Sequence, residues 1–150
     1  MVRAATAADA TAIAELLHAF NTEYSDPTPE VAVLADRLAP MLAGGEVAVM
    51  LAGSGPDGLA VLRFRPSFWS GELDAYLEEL YVTPERRGQG LGRALMERAI
   101  EFARERGATR MDLGTSTDDT AARALYEKLG FTDRERPPDG PVMLFYERDL

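Results

Sequence analysis

The chain has 150 residues, 46% of them hydrophobic, and a formal net charge of −9 at pH 7, which predicts a single domain over residues 1–150 and argues against a nucleic-acid partner. It contains no cysteine and one histidine, which excludes disulfides and a cysteine nucleophile and leads us to expect no bound metal. Since no apolar run approaches the length of a membrane span and no signal-type segment opens the chain, we expect a cytoplasmic protein with no membrane partner.

Short apolar runs and turn residues alternate along the first half of the chain. Gly44-Gly45 predicts the end of a helix that continues past Pro40, and the glycine-rich turn at 53–58 predicts a hairpin. In order, the predicted elements are a strand at 2–5, a helix that begins near Thr6 and carries Ile13, Leu16, Leu17 and Phe20, a helix from Val31 to Leu42, and strands at 47–51 and 59–64.

The second half of the chain alternates strands with amphipathic helices. Leu91, Leu95 and Ala99 recur at helical spacing before Gly107, which predicts the end of that helix. In order, the predicted elements are a strand at 74–82, a loop at 83–92, this helix, a strand core at 111–113, a helix from Ala122 to Leu129, a strand that begins at Phe131 and a last strand at 142–146. This alternation predicts an α/β (α+β) fold, with a mixed sheet and helices on both faces.

The loop before the third helix has the composition of an anion-binding site. Residues 84–92 read Pro-Glu-Arg-Arg-Gly-Gln-Gly-Leu-Gly, and glycines at alternate positions allow the backbone to curl and point several N–H groups at one spot. The helix dipole and Arg87 add positive charge, so the segment predicts a socket for phosphate oxygens. Position 93 is Arg rather than the third glycine of a dinucleotide fingerprint, and the lysine of a nucleoside-triphosphate loop is missing.

The pattern that remains, Arg-x-x-Gly-x-Gly from Arg87 to Gly92, resembles the acetyl-coenzyme A (acetyl-CoA) loop of the GNAT superfamily of N-acetyltransferases. The segment Thr120-Ala-Ala-Arg-Ala-Leu-Tyr-Glu-Lys-Leu-Gly-Phe131 is similar to a second conserved block of that family. The resemblance implies a mostly antiparallel sheet of about six to seven strands, splayed near its middle, with four helices on its two faces. It also implies acetyl-CoA as co-substrate and a homodimer as the assembly.

The resemblance assigns roles to individual residues of this chain. The strand before the loop would offer backbone groups to the pantetheine arm, the loop would hold the pyrophosphate, and Tyr126 aligns with the tyrosine that protonates the departing thiolate. Asp119 stands where the family has asparagine, and an ionised Asp accepts hydrogen bonds but donates none. The implied acetyl-CoA-binding residues are Leu80, Tyr81, Val82, Arg87, Gly88, Gln89, Gly90, Leu91, Gly92, Arg93 and Asp119.

A carboxylate near the acceptor is the expected general base. An amine with a lysine-like pKa of about 10.4 is neutral in only about one molecule in a few thousand at pH 7, so its proton must be removed. The strand Tyr76-Leu-Glu-Glu-Leu-Tyr-Val82 is similar to that of spermidine and thialysine acetyltransferases, which implies Glu78 as base. We rank Glu79 second and Asp74 third as candidates. Strict alternation would place the two glutamates on opposite faces, unless a bulge intervenes.

The expected function is acetyl transfer from acetyl-CoA to a primary amine of a small molecule, such as a polyamine, an aminoglycoside-like compound or an amino acid. Two alternatives remain open at this point. The acceptor could be a protein N-terminus or lysine, or the chain could be a non-catalytic acyl-CoA sensor, for which the aspartate at position 119 is the motive. His18 lies beside the apolar stripe of the first helix, where a structural role is expected.

Overall fold

The computed structural model describes residues 1–150, which form two compact units, Met1–Leu113 and Gly114–Leu150. The single domain expected from the chain length stays a prediction. The helices and strands are β1 Val2–Ala4, α1 Ala10–Glu23, α2 Val31–Gly44, β2 Val47–Ala52, β3 Gly58–Pro66, β4 Leu73–Val82, α3 Leu91–Glu105, β5 Ala108–Leu113 and α4 Thr120–Lys128.

The five strands of the first unit form one mixed sheet in the order β1-β2-β3-β4-β5. The first four strands are antiparallel, and β4 and β5 are parallel and joined by α3. β4 pairs with β3 as far as Val82 but with β5 only as far as Leu77. Residues 78–82 therefore have one edge without a neighbouring strand, which is the splay that the family resemblance implied.

Helices cover both faces of this sheet, as predicted. Alternate residues of β2 and β3, among them Val49 and Val61, pack against Ile13 and Leu38 of α1 and α2. The opposite face meets α3, where the rings of Phe64 and Phe102 have centroids 6.4 Å apart. The close approach of β4 explains the glycine that opens β3, since a Cβ on Gly58 would lie 2.8 Å from the backbone carbonyl oxygen of Tyr81 and 3.2 Å from a methyl carbon of Leu95 on α3.

The second unit contains α4 and an extended C-terminal segment, and here the predicted strands are wrong. The strands expected at Phe131 and at 142–146 reduce to one isolated bridge between Arg134 and Val142, so the sheet has five strands rather than six to seven. Three prolines between residues 137 and 141 cannot donate to a ladder. The apolar run 142–146, which predicted a strand, is largely exposed.

α4 ends as its sequence predicts. Gly130 has φ +91°, and the N–H of Phe131 donates to the carbonyl of Tyr126 at 3.0 Å. None of the four helices has both the length and the apolar character required to cross a membrane.

Candidate active site

The loop after β4 presents a row of free backbone donors. A short 3-10 turn at Pro84–Arg86 leads into a segment whose N–H groups, from Gly88 to Arg93, find no acceptor within the protein. The first helical bond of α3 is donated by Ala94 to the carbonyl of Gly90, at 3.0 Å. Six consecutive N–H groups therefore lie open at the N-terminus of a 15-residue helix, where the helix dipole adds positive potential.

Gly88 and Gly90 give this loop its curl. Their φ values are +73° and +83°, a conformation that side-chain-bearing residues adopt only with strain. A Cβ placed on either glycine would meet no protein atom within 4 Å, so the loop borders open space. Unpaired N–H donors beside open space suit an anionic diphosphate, and these residues fit the co-substrate that the sequence predicts.

The arginines of this region are all engaged by carboxylates. The pairs are Arg86 with Asp57, Arg87 with Glu23 and Arg93 with Glu97, at 2.7, 2.7 and 2.8 Å between nitrogen and oxygen. A direct contact between the pyrophosphate and Arg87 or Arg93 therefore stays a prediction. The backbone N–H groups from Gly88 to Arg93, in contrast, have no partner in the protein.

The three β4 residues expected to meet the pantetheine arm differ in orientation. The N–H of Thr83 donates to the carbonyl of Asp57, just before β3, at 2.9 Å. Since successive residues of a strand direct their backbone groups to opposite edges, Tyr81 faces β3 while Leu80 and Val82 face the open edge. The carbonyl of Val82 accepts a hydrogen bond from Nε of Arg87, at 3.0 Å. Of the two open-edge residues, Leu80 is therefore the one whose backbone groups form no hydrogen bond with a side chain of the protein.

A β-bulge at Glu78 determines where the two candidate bases lie. Val61 pairs with Glu79 while Leu62 pairs with Leu77, which leaves Glu78 as the extra residue. Glu78 is exposed and accepts a hydrogen bond from Nε of Arg63 at 2.5 Å. Arg63 and Val61 lie two residues apart on β3, so their side chains lie on the same face of the sheet. Because Glu78 binds Arg63 and Glu79 pairs with Val61, both carboxylates lie on that face rather than on opposite ones.

The two glutamates have different electrostatic surroundings. Glu79 is half-buried and has no ion-pair partner. Burial and the adjacent charge of Glu78 together raise the pKa of Glu79 above that of an ordinary glutamate. Asp74, the third candidate, lies 4.0 Å from Nε of Arg65, measured to its Oδ2. Glu79 thus combines a raised pKa with the absence of an ion-pair partner.

Tyr126 and Asp119 both belong to α4 in the second unit. Asp119 is the N-cap of that helix and accepts a hydrogen bond from the N–H of Ala122 at 3.2 Å. Tyr126 is buried, with its ring 6.0 Å from that of Phe131. Burial and the negative charge of Asp119 raise the pKa of Tyr126 to about 12, so the phenol stays protonated at neutral pH.

Glu23 is the residue of this region that the sequence did not predict. It ends α1, and its Oε1 accepts hydrogen bonds from Arg87 at 2.7 Å and from the hydroxyl of Tyr81 at 3.0 Å. These partners lie 64 and 58 residues away along the chain, so no local pattern marks the contact. His18 has the structural role expected of it, since its Nδ1 lies 3.1 Å from the carbonyl oxygen of Pro29.

Comparisons with known proteins agree with this geometry. The model of the acetyltransferase (GNAT) family matches residues 12–131. Aminoglycoside N(6')-acetyltransferase type 1 of Stenotrophomonas maltophilia is 32% identical over 141 residues, which cover 90% of this chain and 88% of that protein. The thialysine N-epsilon-acetyltransferase of Bos taurus is 36% identical over 76 residues, 51% of this chain and 44% of that protein. Other relatives are matched over as little as 23% of their length.

A solved structure supports the same assignment. A protein from Arthrobacter sp. FB24, whose acetyltransferase activity is itself inferred, superposes with a TM-score of 0.92 at 48% identity, covering 100% of this chain and 96% of that one. The family match and the aminoglycoside relative both extend over most of the sequence. The chain therefore belongs to the acetyltransferase (GNAT) family and is an enzyme of the N-acetyltransferase type.

Proposed function

We propose that this chain transfers the acetyl group of acetyl-CoA to a primary amine of a small molecule, by direct attack of the amine on the thioester. The observation that carries the proposal is the set of free N–H groups from Gly88 to Arg93, next to the open edge of β4. The N–H groups would bind the diphosphate. The backbone of Leu80 would pair with the pantetheine arm as a neighbouring strand would.

Glu79 is our choice of general base, ahead of Glu78. The acceptor arrives as an ammonium, and a carboxylate must bind it and take one proton before the nitrogen can attack. Two observations favour Glu79: its raised pKa makes it a stronger base than an ordinary glutamate, and no arginine neutralises it. Glu78, implied by the family resemblance, has its charge engaged by Arg63. Its proposed role is to keep the pKa of Glu79 high.

Tyr126 is the proposed donor to the departing sulfur, as the family resemblance implies. The thioester supplies an activated acyl group whose sulfur gains negative charge as the bond to carbon breaks. A phenol with a pKa of about 12 remains protonated throughout the neutral range, so it is always available to donate. Asp119 would act through Tyr126, by raising that pKa and capping α4, rather than as a donor to the co-substrate.

The acceptor class proposed here is a cationic amine. The net charge of −9 and the adjacent carboxylates of Glu78 and Glu79 favour approach of positively charged molecules. The names of the aminoglycoside and thialysine relatives support small-molecule amines. An aminoglycoside-like compound is the first candidate, because that relative is matched over 90% of this chain. Polyamines and amino acids follow, and peptide termini or lysines are the alternative that the assay must exclude.

The test is release of free coenzyme A thiol by purified protein with acetyl-CoA and a panel of aminoglycosides, polyamines, amino acids and peptides. We expect turnover with at least one cationic small molecule and none with peptides. Turnover with peptides alone would assign the acceptor to proteins. Binding of acetyl-CoA without turnover of any amine would leave a sensor, which is the third function considered for the sequence.

Assembly and location form a further part of this proposal. A homodimer is the proposed assembly, supported by five adjacent large apolar residues at 142–146 that are exposed in the second unit. Light scattering after gel filtration should give twice the chain mass, and replacing Leu144 and Phe145 by serine should give the monomer mass. A monomer in the unaltered protein would refute the dimer.

A cytoplasmic location is also proposed, and fractionation of the source cells tests it.

A further inference from the structure

We infer that Arg87 is a positioning residue that, with Glu23, fastens the CoA loop to β4 and α1, and that its guanidinium does not bind phosphate. This inference rests on the proposed function, because it concerns how the loop is held ready for the diphosphate of acetyl-CoA. It reassigns a residue that the sequence pattern alone places among the phosphate ligands.

The guanidinium of Arg87 is held at three points. Its Nε donates to the carbonyl of Val82 at 3.0 Å, and its Nη2 donates to Oε1 of Glu23 at 2.7 Å. The same group lies over the ring of Tyr81, 5.6 Å from the centroid. These contacts join the start of the loop to the end of β4 and to the last turn of α1. These contacts use the Nε and Nη2 donors of arginine, so the guanidinium already has its orientation fixed within the protein.

Glu23 is itself firmly placed. Its Oε1 also accepts from the hydroxyl of Tyr81 at 3.0 Å, and the ring of Tyr81 is buried with its centroid 5.0 Å from that of Phe20. Phe20 lies on α1 one turn before Glu23, so both ends of Tyr81 are bound to the same helix. The carboxylate that receives Arg87 therefore lies at the surface, but its hydrogen bond to the buried Tyr81 holds it in place.

The charge of the Arg87–Glu23 pair also supports a positioning role for Arg87. Hydrogen bonding from Arg87 lowers the pKa of Glu23, so the carboxylate remains ionised throughout the neutral range. A guanidinium paired with an ionised carboxylate offers little net positive charge to an approaching diphosphate. The open N–H groups from Gly88 to Arg93 supply that charge instead. The function of Arg87 is then to restrict the loop before binding, which reduces the entropy lost when the ligand is bound.

The two possible roles of Arg87 predict opposite effects of Glu23→Gln. If Arg87 binds phosphate, removing its competing carboxylate frees the cation and tightens binding. If Arg87 positions the loop, Glu23→Gln breaks the attachment and weakens binding. The experiment is calorimetric titration of coenzyme A into the unaltered protein, Glu23→Gln, Arg87→Gln and the double variant. Glu101→Gln and Arg104→Gln on the exposed face of α3 are controls with the same changes in net charge.

We expect each single variant to raise the Kd for coenzyme A about two- to fivefold, as is typical for loss of a partly exposed ion pair. The double variant should be no weaker than the weaker single variant, because both changes break one attachment. Arg87→Lys should not restore binding, since a point charge cannot reach Val82 and Glu23 together. In turnover, the KM for acetyl-CoA should rise while kcat at saturation stays unchanged.

Each outcome bears on a different claim. Tighter binding by Glu23→Gln, or full rescue by Arg87→Lys, would overturn the positioning role and make Arg87 a phosphate ligand. Additive losses in the double variant would also overturn it. If the unaltered protein does not bind coenzyme A at all, the proposed function itself fails. Tyr81→Phe keeps the aromatic packing and the ion pair, and it should weaken binding less than either charge variant.

Discussion

Glu79 and Glu78 are adjacent carboxylates with different surroundings, and this difference is testable. An ordinary glutamate has a pKa of about 4.3. Because the pKa of Glu79 is raised, Glu79 ionises at a higher pH than that. The acid limb of kcat/KM should therefore lie above that value. Glu79→Gln should lower kcat/KM about 10²- to 10³-fold. Glu78→Gln should cost less than about tenfold and move the acid limb to lower pH, since it removes a charge that raises the pKa. The reverse ranking of the two losses would make Glu78 the base.

Tyr126 is the second residue whose ionisation can be followed. With a pKa of about 12, it should stay protonated where an ordinary tyrosine, near 10, would ionise. We therefore expect kcat, measured at saturating substrates, to show no decrease from tyrosine ionisation up to pH 10. Tyr126→Phe should lower kcat about 10²-fold and change the Kd for coenzyme A by less than about twofold. An unchanged kcat in that variant would remove Tyr126 from the mechanism.

The element that binds the diphosphate depends on backbone conformation, so glycine substitutions test it. Gly88→Ala and Gly90→Ala should each destabilise the protein by about 1 kcal/mol, because alanine is strained at these positive φ values. Each should also weaken coenzyme A binding at least about tenfold. Gly107→Ala is the matched control: φ there is +90°, and a Cβ likewise meets nothing within 4 Å, but the residue follows the other end of α3. Urea unfolding and calorimetry should show equal stability losses and unequal affinity losses. An equal loss of affinity in Gly107→Ala would contradict this account.

α4 gives a second test at the level of the element. Asp119→Ala should lower the unfolding free energy by about 1 kcal/mol, because the N–H of Ala122 loses its acceptor. Asp119→Asn retains a capping side chain and should cost only a few tenths of a kcal/mol, while the loss of negative charge lowers the pKa of Tyr126. Chemical denaturation compares the two variants. Equal stability of Asp119→Ala and the unaltered protein would mean that the cap contributes nothing.

At the level of the whole molecule, the features that could be predicted from the sequence are those that local chemistry determines. Gly45 and Gly107 follow the ends of helices in the left-handed conformation, so their positions predicted the helix boundaries. The CoA loop was predictable for the same reason, since its donors are backbone groups placed by glycines. The pairing of distant elements was not predictable. The run at 142–146 has strand residues but only a single bridge opposite it, and neither the bulge at Glu78 nor the contact of Glu23 with Arg87 has a local signal.

The central claim is that backbone N–H groups between β4 and α3 hold the diphosphate of acetyl-CoA. The most direct measurement is the chemical shift of each backbone amide, by nuclear magnetic resonance of ¹⁵N-labelled protein titrated with coenzyme A. The account predicts that the largest shifts fall on the amides from Gly88 to Arg93, with smaller shifts at Leu80 and Val82. Shifts centred on another segment, or none at millimolar coenzyme A, would contradict it.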